Sequence, residues 1–259
     1  MTAGPWAPPE VPPALPDRRR GWRMLGCFAV GYVTFWVASV LVVLIYLLAS
    51  PRDAADGALP AAALVVALVV PTVLAALVAT TGAALLGQGS LAQRLRSQLP
   101  LRWRLSDVGV GLGLGVVGLI ITVPAAGLWA RWVGTDQASS AVGEAFENQR
   151  LPLGLALMLF FGVWLIAPLC EELLYRGVLW RAMEYWQWNR WVIFGLTTVL
   201  FSVAHLELLR TPLLVVISLP LALARMLTGN VLASIVAHQV NNFLPAIGLL
   251  LITQGLVPG

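Results

Sequence analysis

Seven apolar runs, separated by breaks rich in proline, glycine or charge, constrain this chain more than any other feature of its sequence. The runs occupy residues 24–48, 60–87, 107–133, 151–169, 191–208, 211–227 and 230–256. Most are long enough to cross about 30 Å of hydrocarbon, and lipid offers no hydrogen-bond partner to an exposed backbone. The sequence therefore predicts an all-α fold, a polytopic integral-membrane helical bundle of about seven transmembrane helices.

Composition supports this prediction and excludes other classes of protein. Of the 259 residues, 59% are hydrophobic and 11% are charged, whereas about a quarter are charged in a typical soluble domain. A soluble enzyme and a disordered chain are both excluded. Only two cysteines are present, Cys27 and Cys170, and they match no metal or redox spacing, so a secreted disulfide scaffold is excluded as well.

The chain divides into three predicted parts. Residues 1–21 are rich in proline, end in an arginine cluster and are expected to form a disordered cytoplasmic tail. Residues 22–104 hold the N-terminal transmembrane helices, and residues 105–259 are expected to form a catalytic transmembrane core. The first apolar run is too long for the core of a secretory signal, so we expect it to remain as a membrane span.

The distribution of arginine predicts the orientation in the membrane. All 16 basic residues are arginine, and the net charge is +4. Arginines concentrate before the first run, after the second and in later turns on the same side: Arg18, Arg19, Arg20, Arg23, Arg94, Arg96, Arg102, Arg104, Arg181, Arg190 and Arg225. The alternate loops mix arginines with acids: Arg52, Arg131, Arg150, Arg210, Asp53, Asp56, Asp136, Glu144 and Glu147. By the positive-inside rule, the N-terminus is expected in the cytoplasm.

This charge bias also bears on location and partners. We interpret the excess of arginine as a marker of topology, so the lipid bilayer is an expected partner and nucleic acid is not. The absence of lysine and the abundance of alanine, leucine and valine suggest a bacterial protein of the plasma membrane. The tryptophans Trp180, Trp186, Trp188 and Trp191 are expected at the headgroup level, around a cytoplasmic turn.

Ionisable residues inside apolar helices are the candidate site, because a central charge costs about 2.5–3.5 kcal/mol on insertion scales. They fall in three segments: Glu171, Glu172 and Arg176; then His205; then His238 with Asn242. Counting about 1.5 Å of rise per residue from the turn near Trp188 places these segments at similar depth. We therefore expect the three segments to converge in one layer of the bundle.

These residue types suit the hydrolysis of a peptide bond without a covalent intermediate. Glu171 is the expected base that deprotonates a water, with His205 as its partner. His238 and Asn242, four residues apart on one helix face, could both donate to a developing oxyanion. Glu172 is expected to pair with Arg176 as structural support, and Pro168 is expected to kink the fourth span into two pieces with freed carbonyls.

The motifs Glu-Glu-x-x-x-Arg at 171–176, Phe-x-x-x-His at 201–205 and His-x-x-x-Asn at 238–242 resemble the CPBP family. This family includes CAAX proteases, bacteriocin-processing proteins and type II CAAX prenyl endopeptidases. The resemblance extends over about residues 105–250. It implies an intramembrane glutamate-type endopeptidase that cleaves a peptide or membrane-associated protein near the cytoplasmic leaflet. The catalytic residues implied are Glu171, Glu172, His205, His238 and Asn242.

The resemblance leaves metal dependence open. Family members are often named metalloproteases, but the His-Glu-x-x-His motif is absent from this chain. No cofactor is expected; were zinc bound, its ligands would be Glu171, His205 and His238. The identity of the substrate, whether the substrate is prenylated, and the oligomeric state also stay open.

Other interpretations compete with a hydrolytic site. The acidic pair alone could be an interfacial charge cluster, and a lone membrane histidine is often an interhelical hydrogen-bond donor. Ser234, four residues before His238, could be a nucleophile, and Cys170 could be one too, although a thiol in apolar surroundings is usually inert. The segment Gly113–Gly118 matches a nucleotide-binding pattern, but without a preceding strand it indicates helix packing.

Two non-hydrolytic functions use the same residues. One is a non-catalytic immunity or regulatory protein that binds a peptide or lipid in the same cavity. The other is a small transporter in which the buried ionisable groups relay protons or ions, although no inverted repeat is evident. Glu171→Gln should abolish the activity of a protease without disturbing membrane insertion. It therefore distinguishes a protease from a non-catalytic binding protein.

Overall fold

The bundle is built from helices alone over the part of the chain that the computed structural model describes, residues 17–49 and 59–257. The helices, in chain order, are α1 (Arg18–Ala49), α2 (Ala61–Leu85), α3 (Leu91–Gln98), α4 (Leu105–Val133), α5 (Thr135–Ala138), α6 (Ala141–Phe146), α7 (Leu153–Tyr185), α8 (Arg190–Ala204), α9 (Thr211–Thr228) and α10 (Val231–Thr253). Six of them are long and apolar enough to cross a membrane, and α8, with 15 residues, is a shorter apolar helix. The predicted all-α membrane bundle is confirmed, and the chain is an integral membrane protein.

The first helix begins earlier than the sequence predicts. Residues 18–21, assigned above to a disordered tail, form the first turn of α1. The Asp17 carboxylate accepts a hydrogen bond from the Arg20 backbone N–H at 3.0 Å, which supplies the acceptor that a helix start needs. The remainder of the predicted tail, residues 1–16, and the loop residues Arg52, Asp53 and Asp56 lie outside the described residues.

Helix α7 is continuous over 33 residues, so the prediction that Pro168 divides the fourth span into two pieces is wrong. Two π-helical segments, Gly162–Ile166 and Leu173–Leu179, lie within it. In the first, the Ala167 N–H donates to the Gly162 carbonyl, one residue further back than in an α-helix. The next bond of this series would run from the N–H of residue 168 to the Val163 carbonyl. Pro168 has no N–H, so the Val163 carbonyl does not receive this bond.

Arginine-rich segments that are far apart in sequence meet at one end of the bundle. Tyr185 Oη donates to Gln98 Oε1 at 2.9 Å, and the Val231 N–H donates to the Pro100 carbonyl at 2.9 Å. The rings of Trp22 and Trp186 lie 4.8 Å apart. We call the end formed by residues 18–23, 94–104, 181–190 and 225–231 the arginine-rich end; it contains the segments predicted to face the cytoplasm.

The loops predicted on the other side also meet, at the opposite end. The Leu151 N–H donates to the Thr253 carbonyl at 3.1 Å, and the Ala141 N–H donates to Glu207 Oε1 at 2.8 Å.

One expectation for the arginine-rich end is wrong: Trp180 is 2% exposed and packs inside the bundle, rather than at a headgroup surface.

Close packing of α4 against α10 explains the glycine pattern in α4. A Cβ atom added to Gly111 would lie 2.6 Å from the Ala233 carbonyl oxygen, and one added to Gly115 would lie 2.6 Å from the Val240 Cβ. At Gly118, it would lie 2.4 Å from an atom of the Asn241 side chain. Gly115 and Gly118 thus confirm the interpretation of the Gly113–Gly118 segment as helix packing, whereas a Cβ added to Gly113 would meet nothing within 4 Å.

Candidate active site

A fully buried glutamate is the centre of the polar layer. Glu172, on α7, is 0% exposed, and its carboxylate contacts three partners. Oε1 lies 3.0 Å from Arg176 Nη1 and 2.9 Å from His238 Nδ1, and Oε2 accepts a hydrogen bond from Ser234 Oγ. A buried carboxylate needs this many partners, because an unpaired charge in an apolar interior is strongly destabilising. The predicted Glu172–Arg176 pair is present, and Glu172 also orients His238.

The arginine of this pair is equally buried and is held from the far side. Arg176 is 0% exposed, and its Nη2 donates to Ser218 Oγ on α9 at 2.5 Å. Its guanidinium carbon also lies 4.5 Å from the centre of the Phe201 ring on α8. Arg176 therefore connects α7 with α8 and α9, and Glu172 connects α7 with α10.

The neighbouring glutamate has a different environment. The side chain of Glu171 is 24% exposed, and its Oε2 lies 3.8 Å from His238 Nε2, beyond hydrogen-bond distance. Both ring nitrogens of His238 thus face a glutamate: Nδ1 faces the buried Glu172, and Nε2 faces the accessible Glu171. Among the described residues no polar atom lies within hydrogen-bond distance of the Glu171 oxygens, so this carboxylate is open to a bound molecule.

His205 lies at the end of α8, and the ring of Phe201 lies between it and His238. Its Nδ1 is 2.8 Å from the Phe201 carbonyl oxygen, which can only accept, so Nδ1 carries the proton and Nε2 is left as an acceptor. The Phe201 ring lies 4.8 Å from the His205 ring and 5.6 Å from the His238 ring. Leu206 follows with φ of 57°, a left-handed conformation that ends the helix directly after this histidine.

Asn242 is placed by the carbonyl that Pro168 leaves over. Its Nδ2 donates to the Val163 carbonyl at 3.2 Å, across 79 residues of sequence. Asn242 is thus the polar partner of the carbonyl that Pro168 is predicted to free. The second amide hydrogen of Asn242 remains for another acceptor. The adjacent Asn241 is buried and its Nδ2 donates back to the Ala237 carbonyl, so Asn242 is the residue of the two that lies beside α7.

The structure thus brings the three segments together in part. Glu172 and His238 are bonded directly, Glu171 is close to His238, and Phe201 bridges the two histidines. Between the side chains of Glu171 and His205, both of which the structure describes, there is no hydrogen bond. Sequence reasoning did not identify Ser218 as a partner of Arg176, because a serine in a membrane helix commonly bonds its own backbone.

The two proposed nucleophiles have other roles. Ser234 Oγ is fully buried and donates to Glu172 rather than to a histidine, so it supports the carboxylate. Cys170 is 6% exposed and lies in the apolar core with Leu174 and Tyr175. The carboxylate that accepts from Ser234 is already paired with Arg176 and His238, and among the described residues no hydrogen bond joins Cys170 to a base.

The ligand set considered for zinc does not assemble. Among residues 17–49 and 59–257, no group of three or more histidine, cysteine, aspartate or glutamate side chains is placed to hold a metal ion. His238 Nδ1 is bonded to Glu172 and His205 Nδ1 to the Phe201 carbonyl, so only Nε2 of each ring is open to another partner. Glu171, His205 and His238, the ligands considered for zinc, do not form a three-ligand group in this arrangement.

Comparison with known proteins agrees with the resemblance read from the motifs. Residues 153–244 match the family model described as type II CAAX prenyl endopeptidase Rce1-like. The matched region runs from the start of α7 into α10 and contains all three motifs, and it is shorter than the predicted coverage of residues 105–250. Searches of curated proteins and of solved structures found no match. The predicted resemblance to the CAAX protease family is confirmed for this part of the chain.

Proposed function

We propose that this protein is an intramembrane endopeptidase that hydrolyses a peptide bond with a water activated by Glu171 and His205. The observation that carries the proposal is the contrast between two adjacent glutamates. Glu172 is fully buried and bonded to three partners, whereas Glu171 is partly exposed and, within the part of the chain that the structure describes, has one polar partner, 3.8 Å away. One carboxylate builds the site and the other is free to take a proton.

In the first step, Glu171 removes a proton from a water that also donates to His205 Nε2. The hydroxide oxygen bonds to the carbonyl carbon of the peptide, and the electron pair of the carbonyl moves to its oxygen. His205 suits this task because its Nδ1 is fixed on the Phe201 carbonyl, which leaves Nε2 to orient the water.

In the second step, the resulting oxyanion is stabilised and the amine leaves. The free amide hydrogen of Asn242 and His238 Nε2, when protonated, are the donors available on α10. Glu172 supports this role because it fixes the imidazole through Nδ1. As the carbon–nitrogen bond breaks, Glu171 returns its proton to the nitrogen; the products are an amine and a carboxylic acid, which releases its proton to water.

The proposed reaction takes place within the membrane, nearer to the cytoplasmic leaflet. Helix α7 has 33 residues, or about 50 Å at 1.5 Å per residue, and exceeds the hydrocarbon thickness of about 30 Å. We place the arginine-rich end in the cytoplasm by the positive-inside rule, and the protein in the plasma membrane. The expected substrate is a peptide or membrane-associated protein whose chain reaches Glu171 from the bilayer or the cytoplasm.

The test is cleavage of a peptide library by the purified full-length protein in detergent, followed by mass spectrometry. Glu171→Gln keeps the size of the side chain but removes the base, so cleavage should fall by about 10²- to 10⁴-fold. In His205→Asn, the rate of cleavage should fall by a similar factor. The matched control is Glu144→Gln, at an exposed glutamate at the opposite end, which should cleave as wild type.

Three outcomes separate the candidate functions. Wild-type cleavage that chelator does not reduce, together with loss of cleavage in both site variants, supports the proposal. Cleavage that chelator removes and zinc restores would replace it with a metal-dependent reaction. A folded wild type that cleaves nothing, but binds a library peptide that the Glu171 variant also binds, would contradict hydrolysis and favour an immunity or regulatory protein.

A further inference from the structure

A second buried arginine lies outside the proposed chemistry. Arg225, on α9, is 2% exposed, and its Nη2 lies 3.0 Å from Glu184 Oε1 on α7. Its guanidinium carbon lies 5.1 Å from the centre of the Trp180 ring. None of these three residues contacts Glu171, His205 or His238. A buried ion pair often adds little net stability, so its presence calls for a more specific explanation than cohesion.

The remaining contact of Arg225 provides that explanation. Its Nε donates to the backbone carbonyl of Arg176 at 3.0 Å, and Arg176 is the partner of Glu172. This carbonyl lies within the π-helical segment Leu173–Leu179. At the end of that segment, the Trp180 N–H donates to both the Gly177 and the Tyr175 carbonyl oxygens, three and five residues back. A π segment has a local alternative, the ordinary α-helical pairing, and needs outside contacts to hold its register.

Arg225 and Ser218, both on α9, each hydrogen-bond to Arg176. Ser218, seven residues earlier and therefore on the same face of α9, accepts a hydrogen bond from the Arg176 side chain at 2.5 Å. Arg225 holds the Arg176 backbone and Ser218 holds its guanidinium. Together they determine where the Arg176 charge lies relative to Glu172, and hence how Glu172 holds the His238 ring.

We infer that Arg225 is a positioning residue of the active site: it fixes the π segment of α7 and, through Arg176 and Glu172, the orientation of His238. Glu184 acts with it as the counter-charge that keeps the guanidinium in place. The effect on cleavage rests on the proposed function, whereas the orientation of His238 can be measured without any substrate.

The chain offers a direct probe, because it contains only two histidines. Protein labelled with ¹⁵N-histidine in detergent micelles should give imidazole signals for His205 and His238, which a His205→Asn variant assigns. Arg225→Lys keeps the charge but loses the planar fork that reaches both Glu184 and the Arg176 carbonyl. We expect this variant to displace the His238 signals and leave those of His205 in place.

Arg181→Lys is the matched control. Arg181 also pairs with Glu184, at 2.9 Å, but among the described residues its side chain makes no hydrogen bond to Arg176. The control should leave the His238 signals unchanged. With a cleaved peptide in hand, Arg225→Lys should lower kcat about tenfold and leave KM within about twofold, because misorientation affects the transition state more than binding. Arg181→Lys should change neither constant.

Two results would overturn the inference. One is unchanged His238 signals in folded Arg225→Lys, even if its melting temperature falls, because a purely structural ion pair predicts that result. If Arg225→Lys does not fold, the uncharged double variant Arg225→Gln/Glu184→Gln is measured in its place. Wild-type His238 signals in that folded double variant are the second result that would overturn the inference. If wild type cleaves no peptide, the proposed function fails, but the His238 signals still decide the role of Arg225.

Discussion

The first helical pair and the late helices are held together by different kinds of contact. Helices α1 and α2 pack through small residues, with Gly31 of α1 against Ala75 and Ala79 of α2. Helices α7 to α10 pack around a buried polar network centred on Glu172 and Arg176. In the first region the contacts depend on shape alone, and in the second they depend on charge, donor count and helix rotation.

This difference has a consequence for function. A shape-based contact tolerates exchange among apolar residues of similar size. A buried polar network tolerates few changes, because each lost partner leaves a charge or a donor unsatisfied. We therefore expect substitutions in α1 and α2 to alter stability alone, and substitutions in the late helices to alter stability and cleavage together.

The largest expected effect on stability is from Glu172→Gln, which is designed to break the late-helix network. The change leaves the Arg176 charge buried without its counter-charge, so the free energy of unfolding should fall by about 3–5 kcal/mol. Unfolding in mixed micelles measures this loss. The double variant Glu172→Leu/Arg176→Met should recover part of it, because both charges of this pair are then removed; a double variant as unstable as Glu172→Gln would contradict the charge argument.

The next effect, on cleavage, is expected at Asn242. Removal of one oxyanion donor typically lowers kcat by about 10²- to 10³-fold, so Asn242→Ala should lose cleavage on that scale with little change in KM. Asn241→Ala is the matched control, since among the described residues the Asn241 side chain hydrogen-bonds only to the Ala237 carbonyl of its own helix. Equal losses in the two variants would show that α10 responds to any change, and would remove Asn242 from the mechanism.

The same comparison explains what the sequence could predict. Apolar runs determine where helices form, so six of the seven runs lie close to observed helices, whereas the fourth run, 151–169, covers only the first half of α7, Leu153–Tyr185. The Glu172–Arg176 pair was also predictable, because residues four apart on a helix are neighbours. These features depend on local spacing alone.

Features that depend on helix rotation could not be predicted. Each π segment of α7 adds a residue and turns the following side chains by about 100°, which no hydropathy pattern reveals. Therefore the sequence placed Glu172 as support for Glu171, whereas in the structure it holds His238. Trp180 was expected at a headgroup surface, but its ring lies beneath the Arg225 guanidinium.

A smaller effect, confined to stability, is expected in the first helical pair. A Cβ atom at Gly31 would lie 2.8 Å from both the Ala75 carbonyl oxygen and the Ala79 Cβ, so Gly31→Ala forces the two helices apart. Overpacking of this kind costs about 1–3 kcal/mol. Thermal unfolding should show the loss, while kcat of the folded fraction stays at the wild-type value. A drop in kcat would mean that α1 and α2 help to shape the site after all.

The smallest effect, and of opposite sign, is expected at Gly26. This glycine is on the same helix as Gly31, but it is exposed, and a Cβ added to it meets nothing within 4 Å. Gly26→Ala therefore gains helix propensity without a clash and should stabilise the protein by about 0.5–1 kcal/mol. Unfolding of Gly26→Ala and Gly31→Ala under identical conditions measures both signs. If Gly26→Ala also destabilises, the outer face of α1 is covered by something other than lipid, and packing in this region is not limited to the α1–α2 contact.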